Sequence, residues 1–299
     1  MTAPAAVFRT FTPCPELRRY IFAYMWFTFE GEQPARTFDR KLPDGTIESR
    51  FNLADPLLTR MLPGGCPSLS FNFGDPWKLQ KGSRAPMTLL TRYVMGPATR
   101  PGVVEFGRRA AALGVMFQPT FAGIFLNASA DWLTDEIVSL DDLWGPEAKS
   151  LEVYLAGLRS VPEKIRALEK ELLRRLHAAR WIDTSLQPIT DLIQRERGGV
   201  SVEWLSKASG LSRQHLTRKF RQQVGVTPKQ YCRFARFHAL LNRVYFHSQV
   251  NWASVAAEYG YYDQAHLIAE FKKFTGLTPS QFFLPHVDAL AGRSAVAAD

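Results

Sequence analysis

Histidine is missing from the first 176 residues; all six lie at or after His177. That absence excludes from this half a histidine-rich metal site of the β-barrel kind, and equally a Ser–His or Cys–His catalytic pair. Cysteine is scarce throughout. Cys14, Cys66 and Cys232 form no CxxC pair and no even disulfide set, which fits the reducing cytoplasm. No apolar run approaches the roughly 20 residues that a membrane span needs. Pro and Arg interrupt residues 1–20, so no signal peptide is read there. Acidic residues are sparse in one stretch. From Val200 to Arg243, nine basic residues (Lys207, Arg213, Arg218, Lys219, Arg221, Lys229, Arg233, Arg236, Arg243) stand against one acid, Glu203. From Val244 to Pro285 only Lys272 and Lys273 stand against Glu258, Asp263 and Glu270. With a net charge of +9, an acidic partner such as nucleic acid suits the chain, and the first stretch should carry most of the attraction.

At 299 residues the chain should hold about two domains. Residues 1 to about 118 read as β-rich, with candidate strands at 20–29, 46–53, 69–73, 88–94, 103–106 and 113–117. Pro/Gly turns separate them, among them Pro43-Asp44-Gly45, Pro63-Gly64-Gly65 and Gly96-Pro97. A small sandwich or barrel is expected. A helix is expected over 119–128, a turn at Leu143-Trp144-Gly145-Pro146, and two helices over 147–180 broken at Val161-Pro162. In the second of these, Ile165, Leu168, Leu172 and Leu176 recur at helical steps, which suits either packing on the parent domain or a dimer helix pair. The fold class is thus α+β. Its expected units are 1–146 (β-rich sensor), 147–182 (helical linker), 183–286 (all-α tandem helix-turn-helix) and 287–299 (Ala-rich flexible tail).

The last expectation rests on a motif written twice, 51 residues apart: Phe220-Arg-Gln-Gln-Val-Gly-Val-Thr-Pro-Lys-Gln-Tyr231 and Phe271-Lys-Lys-Phe-Thr-Gly-Leu-Thr-Pro-Ser-Gln-Phe282. Each copy follows a short helix, a Gly turn (Gly210, Gly260) and a second helix, the pattern that lays a helix in a DNA groove. In the first copy Leu205 and Ala208 are expected to face the core. Ser212 caps the second helix, Leu216 and Phe220 are its buried side, and Arg213, Gln214, Thr217 and Arg218 lie opposite. Arg pairs bidentately with guanine, Gln with adenine, and Thr touches a thymine methyl. In the second copy Asp263 is the cap, Leu267 and Phe271 are buried, and Gln264, Ala265, Ile268 and Ala269 face out. His215 and His266 are equivalent; helix-start packing, capping or a phosphate contact suits them better than base reading. The phosphate-contacting set is read as Ser212, His215, Lys219, Arg221, Lys229, Arg233, His266 and Lys272. Each Thr-Pro (Thr227-Pro228, Thr278-Pro279) should open a helix, and the first, running from Pro228 to about Phe246, would space the motifs rigidly.

Residues about 190–285 resemble the DNA-binding domain of the AraC/XylS family of bacterial transcription regulators. The resemblance rests chiefly on Gly260-Tyr-Tyr-Asp-Gln-Ala-His-Leu and the closing Phe271 to Phe283 segment. It implies two helix-turn-helix units joined by one helix, with both recognition helices in successive major grooves of double-stranded DNA. It places base reading on Arg213, Gln214, Thr217, Arg218, Gln264, Ala265, Ile268 and Ala269. Ala269 departs from the Arg that family members often carry there. Leu42-Pro-Asp-Gly45 and Leu140-Asp-Asp-Leu-Trp-Gly145 resemble an N-terminal domain found on some members, presumed to sense a ligand. The resemblance implies an activator more often than a repressor. It admits RNA polymerase, a small-molecule effector and a homodimer as further partners, and it implies no cofactor, no metal and no enzymatic activity.

Two other readings stand beside it. A DNA alkyl-repair methyltransferase with a similar DNA-binding domain needs four zinc-held cysteines, one of them the methyl acceptor, yet only Cys14 and Cys66 precede that domain. A protein-interaction module would not need the nine-to-one charge excess. Within the N-terminal half, Asp44 beside Gly45 reads as a turn residue. Arg36, Arg40, Arg50 and Arg60 read as a solvated face rather than an anion pocket. Phe22, Tyr24, Trp26, Phe51, Phe71, Phe73, Phe106 and Phe117 read mostly as core, with some free to line an apolar cavity.

Overall fold

The computed structural model describes residues 5–30, 38–41, 47–51, 58–81, 87–89, 91–107, 109–244 and 250–283. Its N-terminal half is built on a long central strand, β2 (Ile21–Glu30), flanked by β1 (Ala5–Phe11) and β11 (Ala111–Phe117). Beyond them lie β3 (Phe38–Lys41), β4 (Ile47–Phe51), β6 (Ser68–Asn72), β9 (Arg92–Met95) and β12 (Ile137–Ser139). These form an eight-stranded sheet in the order β12-β9-β6-β11-β2-β1-β4-β3. A second sheet, β5-β10-β7-β8, comes from Leu58–Met61, Gly102–Glu105, Lys78–Lys81 and Met87–Thr88. Every pairing is antiparallel.

The period of two along β2 decides which layer each residue serves. Phe27, with Tyr93 and Ala112, meets Leu79 and Val104 of the smaller sheet around Trp77 and Phe106. Tyr24 belongs to the other core, with Leu69, Phe71, Leu113 and Val115. The helices cover that core: α1 (Ala122–Leu126), α2 (Ala130–Leu133), α3 (Leu140–Trp144), α4 (Pro146–Gly157) and α5 (Val161–Ala178). The half is therefore three layers, helices on a large sheet on a small sheet.

The structure sharpens several sequence expectations. The strand expected at 88–94 divides into β8 and β9, and the helix expected over 119–128 shortens to α1. The turn expected at 143–146 narrows to Gly145, because α3 runs through Trp144 and α4 starts at Pro146. The break between the two long helices falls at 158–160, not at Val161-Pro162, since a proline in the first turn opens a helix. Ser160 and Glu163 close a capping box there. The Ile165, Leu168 and Leu172 stripe is spent inside its own domain. Buried Lys164 donates to the carbonyls of Leu155 and Leu158, which end α4, and burial lowers its pKa. Phe22, read as core, is 63% exposed. Asp44, Gly45 and Arg36 lie outside the described residues, and Arg40, Arg50 and Arg60 are described only by their strands. The tail from 284 also lies outside.

The C-terminal half is helical: α6 (Gln187–Arg195), α7 (Val202–Ser209), α8 (Arg213–Val224), α9 (Pro228–Val244), α10 (Trp252–Glu258) and α11 (Gln264–Thr275), with a last helical stretch from Pro279. One continuous core runs through both motifs, and α9 is its axis. Tyr231 of α9 meets Phe220 edge-on at 5.6 Å, and Phe237 meets Phe271 at 5.5 Å. Rings of this size, fully buried and interlocked, fix the two units relative to one another.

Candidate nucleic-acid interface

The two helix-turn-helix units are α7–α8 and α10–α11. Every reading helix is started by a side chain and stopped by a left-handed glycine. Ser212 Oγ accepts from the His215 N–H, and Asp263 Oδ1 from the His266 N–H. Gly225 and Gly276 end α8 and α11 at φ 83° and 77°, which costs glycine little. Downstream, Thr227 Oγ1 accepts from the Gln230 N–H. Thr278 and Gln281 close a reciprocal pair, Thr278 Oγ1 accepting from Gln281 N–H and Gln281 Oε1 from Thr278 N–H. The repeated Thr-Pro-x-Gln is thus capping chemistry.

With the starts and stops fixed, helical periodicity sorts the faces. Leu216, Phe220 and Val224 of α8 are buried, as are Leu267, Phe271 and Phe274 of α11. Arg213, Gln214 and Arg218 are exposed and Thr217 half-buried; Gln264, Ala265 and Ala269 are exposed and Ile268 half-buried. Each set of four shares one side of its helix. Ala208, expected in the core, is exposed, and Leu205 is the buried residue of α7.

The expected phosphate set divides. Ser212, His215, Arg221, Lys229, His266 and Lys272 are exposed. Lys219 and Arg233, expected among them, instead pair with carboxylates inside the domain. Lys219 Nζ sits 2.7 Å from Asp183. Burial pushes the Asp183 carboxyl up, but Lys219 and Ser185 outweigh it and hold the group at about 2. Arg233 Nε lies 3.2 Å from buried Glu270, and its guanidinium stacks over Phe274. Positions 219 and 270 are equivalent in the repeat, so one structural slot holds a cation in the first unit and an anion in the second. His266 joins this cluster, its Nε2 3.7 Å from Glu270.

The N-terminal half rests directly on the first unit, which the sequence did not signal. Thr134 Oγ1, just after α2, donates to the Gly225 carbonyl at 2.7 Å. His238 of α9 holds the Pro63 carbonyl at 2.9 Å from Nε2, and burial lowers that imidazole's pKa. Gly65 lies so close to Tyr231 that a Cβ there would stand 2.7 Å from the ring. Arg19 bonds Gln187 of α6 at 2.8 Å. As a result the reading face of α8 opens into a cleft of about 560 Å³, where Arg213, Gln214, Thr217, Arg218 and Arg221 stand with Asp131 of α2.

Comparison with known proteins finds relatives for parts of the chain. A family described as "Helix-turn-helix domain" matches residues 205–284, and a "Domain of unknown function (DUF6597)" matches residues 49–139. An uncharacterized HTH-type transcriptional regulator of Haemophilus influenzae is 29% identical over 94 residues, 30% of this chain and 30% of that protein. Among solved structures, ToxT from Vibrio cholerae is 10% identical at TM-score 0.45, over 76% of this chain and 96% of that one. The AraC-like transcriptional activator CuxR is 14% identical at TM-score 0.26, over 74% and 76%. The match over residues 205–284 takes in both α8 and α11, so the chain carries a helix-turn-helix domain of that description.

Proposed function

We propose that the protein is a sequence-specific regulator of transcription that binds double-stranded DNA. One observation carries the reading: Arg213, Gln214, Thr217 and Arg218 share the solvent side of a capped, well-anchored helix. Those side-chain types match base edges in the major groove. The surrounding basic excess supplies phosphate attraction. Activation of transcription in the bacterial cytoplasm is the role that best fits the family, with RNA polymerase as the contact that an activator requires. Selection of genomic fragments by the full-length protein tests this. A recurrent two-part motif with halves about 10 bp apart is expected. No enrichment over background in any effector mixture would overturn it.

The units proposed are 1–146, 147–182, 183–286 and 287–299, the first acting as sensor. The contact of α2 with α8 supports this and is the proposed route of coupling, since the apolar side of the 161–178 helix is buried at home. Asp131 places a carboxylate among the groove-facing arginines, where a DNA phosphate would be drawn. A small-molecule effector that loosens the joint would free α8. Asp131→Asn in the full chain is expected to raise DNA affinity several-fold; unchanged affinity would count against the coupling. A regulator needs no catalytic residue or cofactor, and none is assigned here.

A further inference from the structure

The two turns differ by one residue. The caps of the reading helices, Ser212 and Asp263, are 51 apart, but the turn glycines, Gly210 and Gly260, are 50 apart. In the first turn Leu211 packs against the core. In the second Tyr261 is buried there under the Arg236 guanidinium, and Tyr262 is the extra residue, 93% exposed. Its backbone is tethered: the Tyr262 N–H donates to His266 Nδ1 at 3.3 Å, while Asp263 caps the same first turn. An exposed tyrosine is therefore carried on backbone fixed at the start of α11.

The reading side of α11 needs such a group. Of Gln264, Ala265, Ile268 and Ala269, only Gln264 has a hydrogen-bonding side chain. The Asp263 side chain is occupied as the cap and offers a phosphate no donor, so a contact at the helix start must come from a neighbouring side chain. Tyrosine is one of the side chains that bonds phosphate oxygens and sets a helix in its groove.

We propose that Tyr262 anchors the second unit to the DNA backbone, its ring against a sugar and its Oη–H donating to a phosphate oxygen. It is a positioning contact, and it rests on the DNA-binding reading above. The test is binding of a selected DNA fragment by the full chain at several salt concentrations. Tyr262→Ala should weaken binding about tenfold on matched and unrelated DNA alike, with the thermal midpoint unchanged. The slope of log affinity against log salt should stay the same, because a neutral donor releases no counterion, whereas Lys272→Ala should lower it by about one. Tyr262→Phe should lose only part of the tenfold. Wild-type affinity in Tyr262→Ala, with Arg218→Ala still weakened, would overturn the anchor and leave the regulator standing. Wild-type affinity in Tyr262→Phe with loss in Tyr262→Ala would overturn the hydroxyl donation. Absence of salt-dependent DNA binding by the wild type would overturn both readings.

Discussion

The two helix-turn-helix units share their caps, stops and buried pairs, yet present different chemistry to the solvent. On the four-residue face singled out above, helix α8 shows two arginines, a glutamine and a threonine, and α11 shows one glutamine among apolar side chains. The interior slot at 219 and 270 differs in the sign of its charge. The lesson is that the repeated letters encode how a unit is built, while the letters between them encode what it does. The first unit is suited to hydrogen-bonded base reading. The second is suited to apolar contacts and to the shape of the duplex.

The largest expected difference is between Arg218→Ala and a change at its counterpart. Arg218→Ala should cost about 1–3 kcal/mol of binding to matched DNA and relax specificity at one base position. Ala269→Gly should do much less, and equal losses in a binding titration would erase the asymmetry. Two helix stops offer the next comparison. A Cβ on Gly225 would lie 2.6 Å from Thr134 Oγ1 and 2.8 Å from the Ala130 carbonyl, on a residue at φ 83°. Gly225→Ala should therefore destabilise the chain by about 2–4 kcal/mol in denaturant melts. Gly210→Ala, at φ 68° with nothing within 4 Å, should cost about 1 kcal/mol.

The interior ion pairs predict a smaller, pH-dependent effect. Asp183 is held at about 2, below its ordinary 3.8, so its stabilisation is present above 3.8 and is lost as pH falls toward 2. Lys219→Ala should remove about 1 kcal/mol of stability and shrink that acid limb to what the Ser185 hydrogen bonds sustain, while leaving the salt slope of DNA binding nearly intact. Loss of a full phosphate contact in that slope would instead return Lys219 to the interface. His238 should give the smallest effect, at milder pH. Its folded value lies below 6.5, so an unfolded chain takes up the proton first. The stability it supports is full above about 6.5 and declines as pH falls below that. His238→Gln should flatten the dependence seen in melts between pH 7 and 5.

The C-terminal fold was legible because its signals are local. A serine cap, a left-handed glycine and Thr-Pro-x-Gln each act within four residues, and Leu216 with Phe220 needs only helical spacing. The exposed faces followed from that spacing. The role of Lys219 did not, because Asp183 lies 36 residues upstream and a lysine among arginines looks like one more phosphate contact. The N-terminal half was legible in class and less so in detail. Strands β5 and β7 span four residues each, too few to show an alternation, and the short helix α2 is too brief to show a period. The seating of α2 on α8 joins Thr134 to Gly225 across 91 residues, and no local pattern carries such a pairing.

That seating bears on how such proteins are recombined. Gly225 serves two masters: it ends a reading helix, and it leaves room for Thr134 and Pro97 of the other half. Tyr231 likewise needs a side-chain-free partner at Gly65. A chimaera spliced at residues 179–186 would carry the whole reading apparatus yet bring a foreign surface to a socket shaped for this one. Transplanting a new N-terminal half would succeed only if residues 62–65 and 130–134 were kept, or if the socket were recut to fit the newcomer.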